Sequence, residues 1–357
     1  MISEKRFCGV KYYIKNFGES NGEETKEIFV ENGQGASVSF VTLGARLNRW
    51  LVPIADGESV NIVLGYDDAQ HALDGRGYYY GATIGRVAGR IDGAAFTLND
   101  RAYELEKNDG LNHLHGGSNG VDLVNWAYEV IEGEGEISVV FTHHQTSEAD
   151  GYPGEMDLKV IHSFNEDSEW RIRYEAKTDQ TTLFNPTNHV YFNLNGDNRA
   201  AITNHEMMVA APHYLPLRED SIPLGEVASV DGTPFDLQKP IEFAKVLESD
   251  HPQLKLTAGF DHPFMLDTAS SQKARIVSPL TDLELTMTTD QESVVIYTHN
   301  VVPTALTIWG KPLEPYAGFT LETQAAPDAI NQPSLGDVTL EPEQTYTSET
   351  AYRVTLV

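Results

Sequence analysis

MDLKVIHSFNEDSEWRIRYEAKT, residues 156–178, decides the fold class. In its first half Leu158, Val160 and His162 fall on one face, and Lys159, Ile161 and Ser163 on the other. In its second half Trp170, Ile172 and Tyr174 oppose Arg171, Arg173 and Glu175. A period of two in both halves is that of a strand, and NEDSE between them is a turn cluster. The pair reads as antiparallel strands with one face buried.

The same pattern spreads outward along the chain. ASVSFVTLG (36–44), ISVVFTHHQ (137–145), DLELTMTT (282–289), SVVIYTHN (293–300) and TAYRVTLV (350–357) are short β-branched or alternating runs. EGEGE (132–136) between two such runs reads as a hairpin, and LNGD (194–197) as a turn. Helix is expected only in short segments such as 67–75 and 240–249. No repeat, low-complexity tract or Pro/Ser-rich linker interrupts the pattern. The expectation is an all-β protein, a large antiparallel β-sandwich, with residues 1–357 forming a single domain.

The 357 residues are 40% hydrophobic, enough for a substantial core, and carry a formal charge of −28 from 25 basic and 53 acidic residues. A surface that negative repels nucleic acid and anionic membranes. Cys8 is the one cysteine, so no intramolecular disulfide forms, which fits a reducing compartment. No apolar run reaches the roughly 18–20 residues of a spanning helix, and the N-terminal residues lack a signal-peptide pattern. A soluble cytoplasmic protein, monomer or homodimer, is the expectation.

Five stretches hold more polar and small residues than a strand needs. GATIGRVAGRIDG (81–93) places Arg86 and Arg90 after glycines, either as planar donors beside a close backbone approach or as solvated turn residues. NHLHGGSNGVD (112–122) carries His113 and His115, which would share a strand face. No nearby carboxylate or cysteine completes a ligand set, so no metal is expected and a hydrogen-bonding His is preferred. His143 and His144 are adjacent and face opposite sides. NPTNHVYFNLNG (185–196) sets His189 between amides and two aromatic rings, as a concave polar site with an apolar wall would. GFDHPFML (259–266) holds Asp261 among apolar residues, as a turn cap or with donors or a ligand waiting. GFTLETQAAPDAINQP (318–333) holds Glu322, with Gln324, Asp328 and Asn331 following in a Pro-bounded loop. A strand Glu is most often simply solvated. Carboxylates, Arg and amides bind hydroxyls and aromatic rings cover C–H faces, so together the five suit a sugar.

In this order GRVAGRI, LHGG followed by Trp126, TNHVYFNL, GFDHPF and LETQAAPDAIN resemble the aldose 1-epimerase (galactose mutarotase) family over residues 81–333. The resemblance implies a β-sandwich enzyme that interconverts the α- and β-anomers of free aldoses such as glucose or galactose, without metal or organic cofactor. It places the general acid that protonates the ring oxygen on His189 and the base that takes the anomeric hydroxyl proton on Glu322. His115 becomes a second donor near the ring oxygen, and Arg90 and Asp261 hold ring hydroxyls. Such roles require both groups to titrate near neutral pH, which His does unaided and Glu does in a partly dry site. Two positions depart from the family pattern: Gly89 replaces an Asn and Val295 a Gln. They suggest a larger site, for a disaccharide such as maltose. The rival readings are a hexose-6-phosphate epimerase, which needs further Arg or Lys, a non-catalytic sugar-binding protein and a metal-dependent β-sandwich enzyme.

Overall fold

The structure, a computed structural model, describes residues 5–7, 9–55, 57–302 and 306–357. Cys8 lies outside them. The alternating segment folds as expected: strand Met156–Asn165 pairs antiparallel with Glu169–Thr178, with Phe164 opposite Trp170 and His162 opposite Ile172. These two strands lie inside a nine-stranded antiparallel sheet that runs from edge strand Ala127–Gly133 to edge strand Ile241–Glu242 and includes Glu136–Gln145 and Tyr346–Leu356. EGEGE is the expected hairpin: Gly133 faces Glu136, and Gly135 takes a left-handed φ of 71° in the two-residue loop.

A six-stranded antiparallel sheet, in sequence order from Lys5–Phe7 to Ser59–Asn61, covers the inner face of the larger one. Their inward side chains form one core, in which Ile28, Val38, Phe40 and Trp50 of the smaller sheet meet Val139, Phe141, Phe164, Trp170 and Tyr352 of the larger. Trp50 meets Trp170 and Phe164 edge-on across the interface, at 6.0 and 6.3 Å between ring centroids. His162 belongs to this core. It accepts from Trp170 Nε1 (3.1 Å) through Nδ1 and donates from Nε2 to the Ala45 carbonyl (2.9 Å), so a fully buried imidazole is satisfied at both nitrogens.

The helices at Ala69–Asp74, capped by Asp68, and at Phe243–Leu247 lie inside the two expected segments. Two more were not foreseen. Ser147–Asp150 is a single turn too short to show a period, and Pro252–Thr257 starts on a proline at its first turn, a signal that was readable. A five-stranded antiparallel sheet carries the chemistry-bearing strands Asp261–Met265, Ser293–Tyr297 and Glu322–Gln324 side by side. Among the described residues no helix is long and apolar enough to cross a membrane.

Candidate active site

His189 is held between two short ladders. Upstream, Thr187 and Asn188 pair with Ile84 and Thr83 of the Gly-rich segment; downstream, Tyr191 and Phe192 pair with Thr320 and Phe319. Its own backbone bonds Ala82 O and Gly81 N, at 2.9 and 3.0 Å. The strand that receives Tyr191 leads two residues later to Glu322, which sits opposite Val295 in the five-stranded sheet. The result is a buried pair, His189 Nε2 and Glu322 Oε1, 3.5 Å apart.

A cleft of about 520 Å³ opens over this pair, and its lining includes Tyr79, Arg90, His115, Tyr191, Asp261 and Val295. All five residues expected in the site are therefore brought together. Arg90 donates from Nε to Asp109 (2.6 Å) and its Nη1 lies 3.9 Å from Asp261 Oδ2. Asp261, with about a quarter of its side chain exposed to the cleft, is pushed up to about 6 by the protein crowded round it, against the pull of Arg90.

His113 and His115 do not share a face. The strand ends at Leu114, and His115 adopts a left-handed φ of 54°, which turns its ring into the cleft while His113 Nδ1 meets the Glu106 carbonyl. Gly116 follows because a Cβ there would lie 2.0 Å from the Gly85 carbonyl oxygen. The Gly89 amide donates to His115 Nδ1 (3.2 Å), so a neutral His115 carries its proton on Nε2. His115, His189 and Glu322 offer atoms within 4.8 Å of one another, a spacing that a metal could use. A protonated Nε2 has no lone pair to give, so the cluster fits hydrogen bonding and proton transfer better.

The titration behaviour of the pair departs from expectation. His189 does not titrate near neutral pH unaided: burial pushes it down, to about 3, and the nearby His299 adds to the effect. Burial pushes Glu322 up to about 8; the Thr320 hydroxyl opposes this and Asp261 reinforces it. Burial thus disfavours the charged form of each group, favouring a neutral imidazole beside a protonated carboxyl.

Three further readings are corrected. The amides around His189 do not face a ligand. Asn185 bonds both backbone groups of Ala325, Asn193 bonds Ala200 O and Ala317 O, and Asn188 bonds the Tyr352 hydroxyl. They lock the segment in place, which exposed loops do not need. Arg86 is neither a cleft donor nor solvated: it is fully buried on Asp150 (2.7 Å), Thr182 and the carbonyls of Pro153 and Gly154. Asp328 and Asn331 also tie backbone, at Asp92 N and Ala95 O. The sequence reading missed Tyr79, whose ring packs 4.9 Å from His115 and 5.4 Å from His189, although YYY at 78–80 just before the Gly-rich segment was a signal.

Residues 26–353 match the family model described as aldose 1-epimerase. The chain is 37% identical to galactose mutarotase of Bos taurus, over 93% of this chain and 95% of that protein. It is 29% identical to a maltose epimerase of Levilactobacillus brevis over 95% and 97%. The crystal structure of galactose 1-epimerase from Lactobacillus acidophilus superposes with a TM-score of 0.87, at 29% identity over 97% of this chain and 99% of that one. With its buried His–Glu pair on a β-sandwich and a family match over nearly its whole length, the chain belongs to the aldose 1-epimerase family.

Proposed function

We propose that this chain is a mutarotase in which Glu322 and His189 exchange protons with C1 hydroxyl and ring oxygen of a free aldose. The enzyme is an isomerase that interconverts α- and β-anomers of aldoses. The observation that carries the residue roles is the 3.5 Å contact between two buried, oppositely shifted groups. Passing the carboxyl proton from Glu322 to His189 leaves a carboxylate and an imidazolium. Glu322 then takes the proton of the anomeric hydroxyl while His189 gives one to the ring oxygen, and the C1–O5 bond breaks to a free aldehyde. Rotation about C1–C2 presents the other face, and the ring closes with both proton transfers reversed. The pair ends with the proton count it began with, so anomers of either hand are processed. Each positioned group contributes on the order of 10²–10⁴-fold. The Nε2–H of His115 adds a donor at the ring oxygen, and Arg90 with Asp261 holds ring hydroxyls. The ring of Tyr79 packs against both imidazoles.

Galactose and glucose are the proposed substrates. The case for a larger sugar weakens at Gly89: a Cβ there would meet the Pro327 ring at 2.9 Å, so that space is filled rather than open. Val295, like Gly89, lines the cleft, and its smaller side chain is the feature that favours maltose. A phosphorylated hexose fits poorly, since Arg90 is the one Lys or Arg among the described residues lining the cleft and two carboxylates already flank it. Polarimetry of freshly dissolved α-glucose, α-galactose and α-maltose tests the reading. Wild type should hasten equilibration of the first two and Glu322→Gln should lose about 10³-fold or more. Equal rates for the two proteins would sink the assignment of Glu322.

A further inference from the structure

Thr320 is fully buried two residues before Glu322, at the end of the short strand that precedes it. Its hydroxyl oxygen accepts from the Tyr297 backbone N–H at 3.1 Å, and its hydroxyl hydrogen is directed to Glu322 Oε1 at 3.0 Å. Oε1 is also the oxygen nearest His189 Nε2. A carboxylate Oε1 accepts the Thr320 hydrogen with its charge, whereas a protonated carboxyl accepts it more weakly, so the contact favours the ionised form. The other titratable or charged groups facing Glu322 are His189 and His115 within the 4.8 Å cluster, Arg90 and Asp261 across the cleft, and the phenols of Tyr191 and Tyr352. Asp261 favours the protonated acid and Arg90 the carboxylate, so the two charges oppose each other. The local hydroxyl works against burial, which favours the protonated acid.

We propose that Thr320, steered by the Tyr297 amide, is a positioning residue that biases the Glu322–His189 pair toward its working form, carboxylate beside imidazolium. The inference rests on the mutarotase reading for its consequence but not for its test. Thr320→Val keeps the shape and removes the donor; Thr320→Ser keeps the donor. The protonated carboxyl stretch of Glu322 is isolated as the infrared difference between each protein and its Glu322→Gln counterpart, and titrated against pH. A lost charge-assisted hydrogen bond should move the midpoint up by about one pH unit in Thr320→Val, and Thr320→Ser should restore it. In anomer equilibration, corrected for the buffer rate, the Thr320→Val plateau should fall about tenfold while its basic limb moves up by the same unit. An unmoved midpoint in Thr320→Val, or a Thr320→Ser midpoint displaced as far as that of Thr320→Val, overturns the proposal. The infrared titration needs no turnover, so an inactive wild type would count against the mutarotase reading alone.

Discussion

His162 and His189 are both buried imidazoles that burial drives down to about 3, yet their surroundings differ. His162 spends both nitrogens on the core, on Trp170 and Ala45, and lies between Phe40 and Trp170 as one more flat ring. His189 has no partner for Nδ1 among the described residues and aims Nε2 at a buried carboxyl beside a cleft. Equal burial and equal displacement thus do not distinguish function. What does is an unspent nitrogen with a second titratable group in reach and room for a substrate.

That contrast can be broken by exchanging the two residues' fates. Replacing His189 by Asn should cost about 10²–10⁴-fold in kcat with little loss of thermal stability, measured by polarimetry and thermal unfolding. Replacing His162 by Phe should leave the turnover of folded protein intact. It should lower stability by about 1–3 kcal/mol in urea unfolding, because Trp170 Nε1 and the Ala45 carbonyl lose their partner. A stable, inactive His162→Phe would erase the distinction.

The cleft wall sharpens the comparison with smaller effects. Arg90→Lys gives up the planar fork that reaches Asp109 and Asp261, and KM for galactose should rise about tenfold with kcat less affected. Loss confined to kcat would instead place Arg90 in proton transfer. Val295→Gln restores an amide beside Glu322 and should change the galactose-to-glucose ratio of kcat/KM by only a few fold, the worth of about one exposed hydrogen bond. An unchanged ratio would remove Val295 from sugar selection.

Alternation in residues 156–178 placed Leu158, Val160, His162, Trp170, Ile172 and Tyr174 toward the core because a strand's side chains have only two directions. That local rule, repeated along the chain, determined the antiparallel sandwich, and the order of the five polar stretches determined the family. The rule could not reveal that Arg86 is buried on Asp150, 64 residues away, or that the amides of Asn185 and Asn193 bond backbone from distant segments. It could not separate His115 from His113 either, since a single left-handed residue undoes the period. The proton balance lay furthest from the sequence. Desolvation depends on every atom packed around a group, and only the assembled sheets bury Glu322 and His189 together and set the Thr320 hydroxyl against one of them.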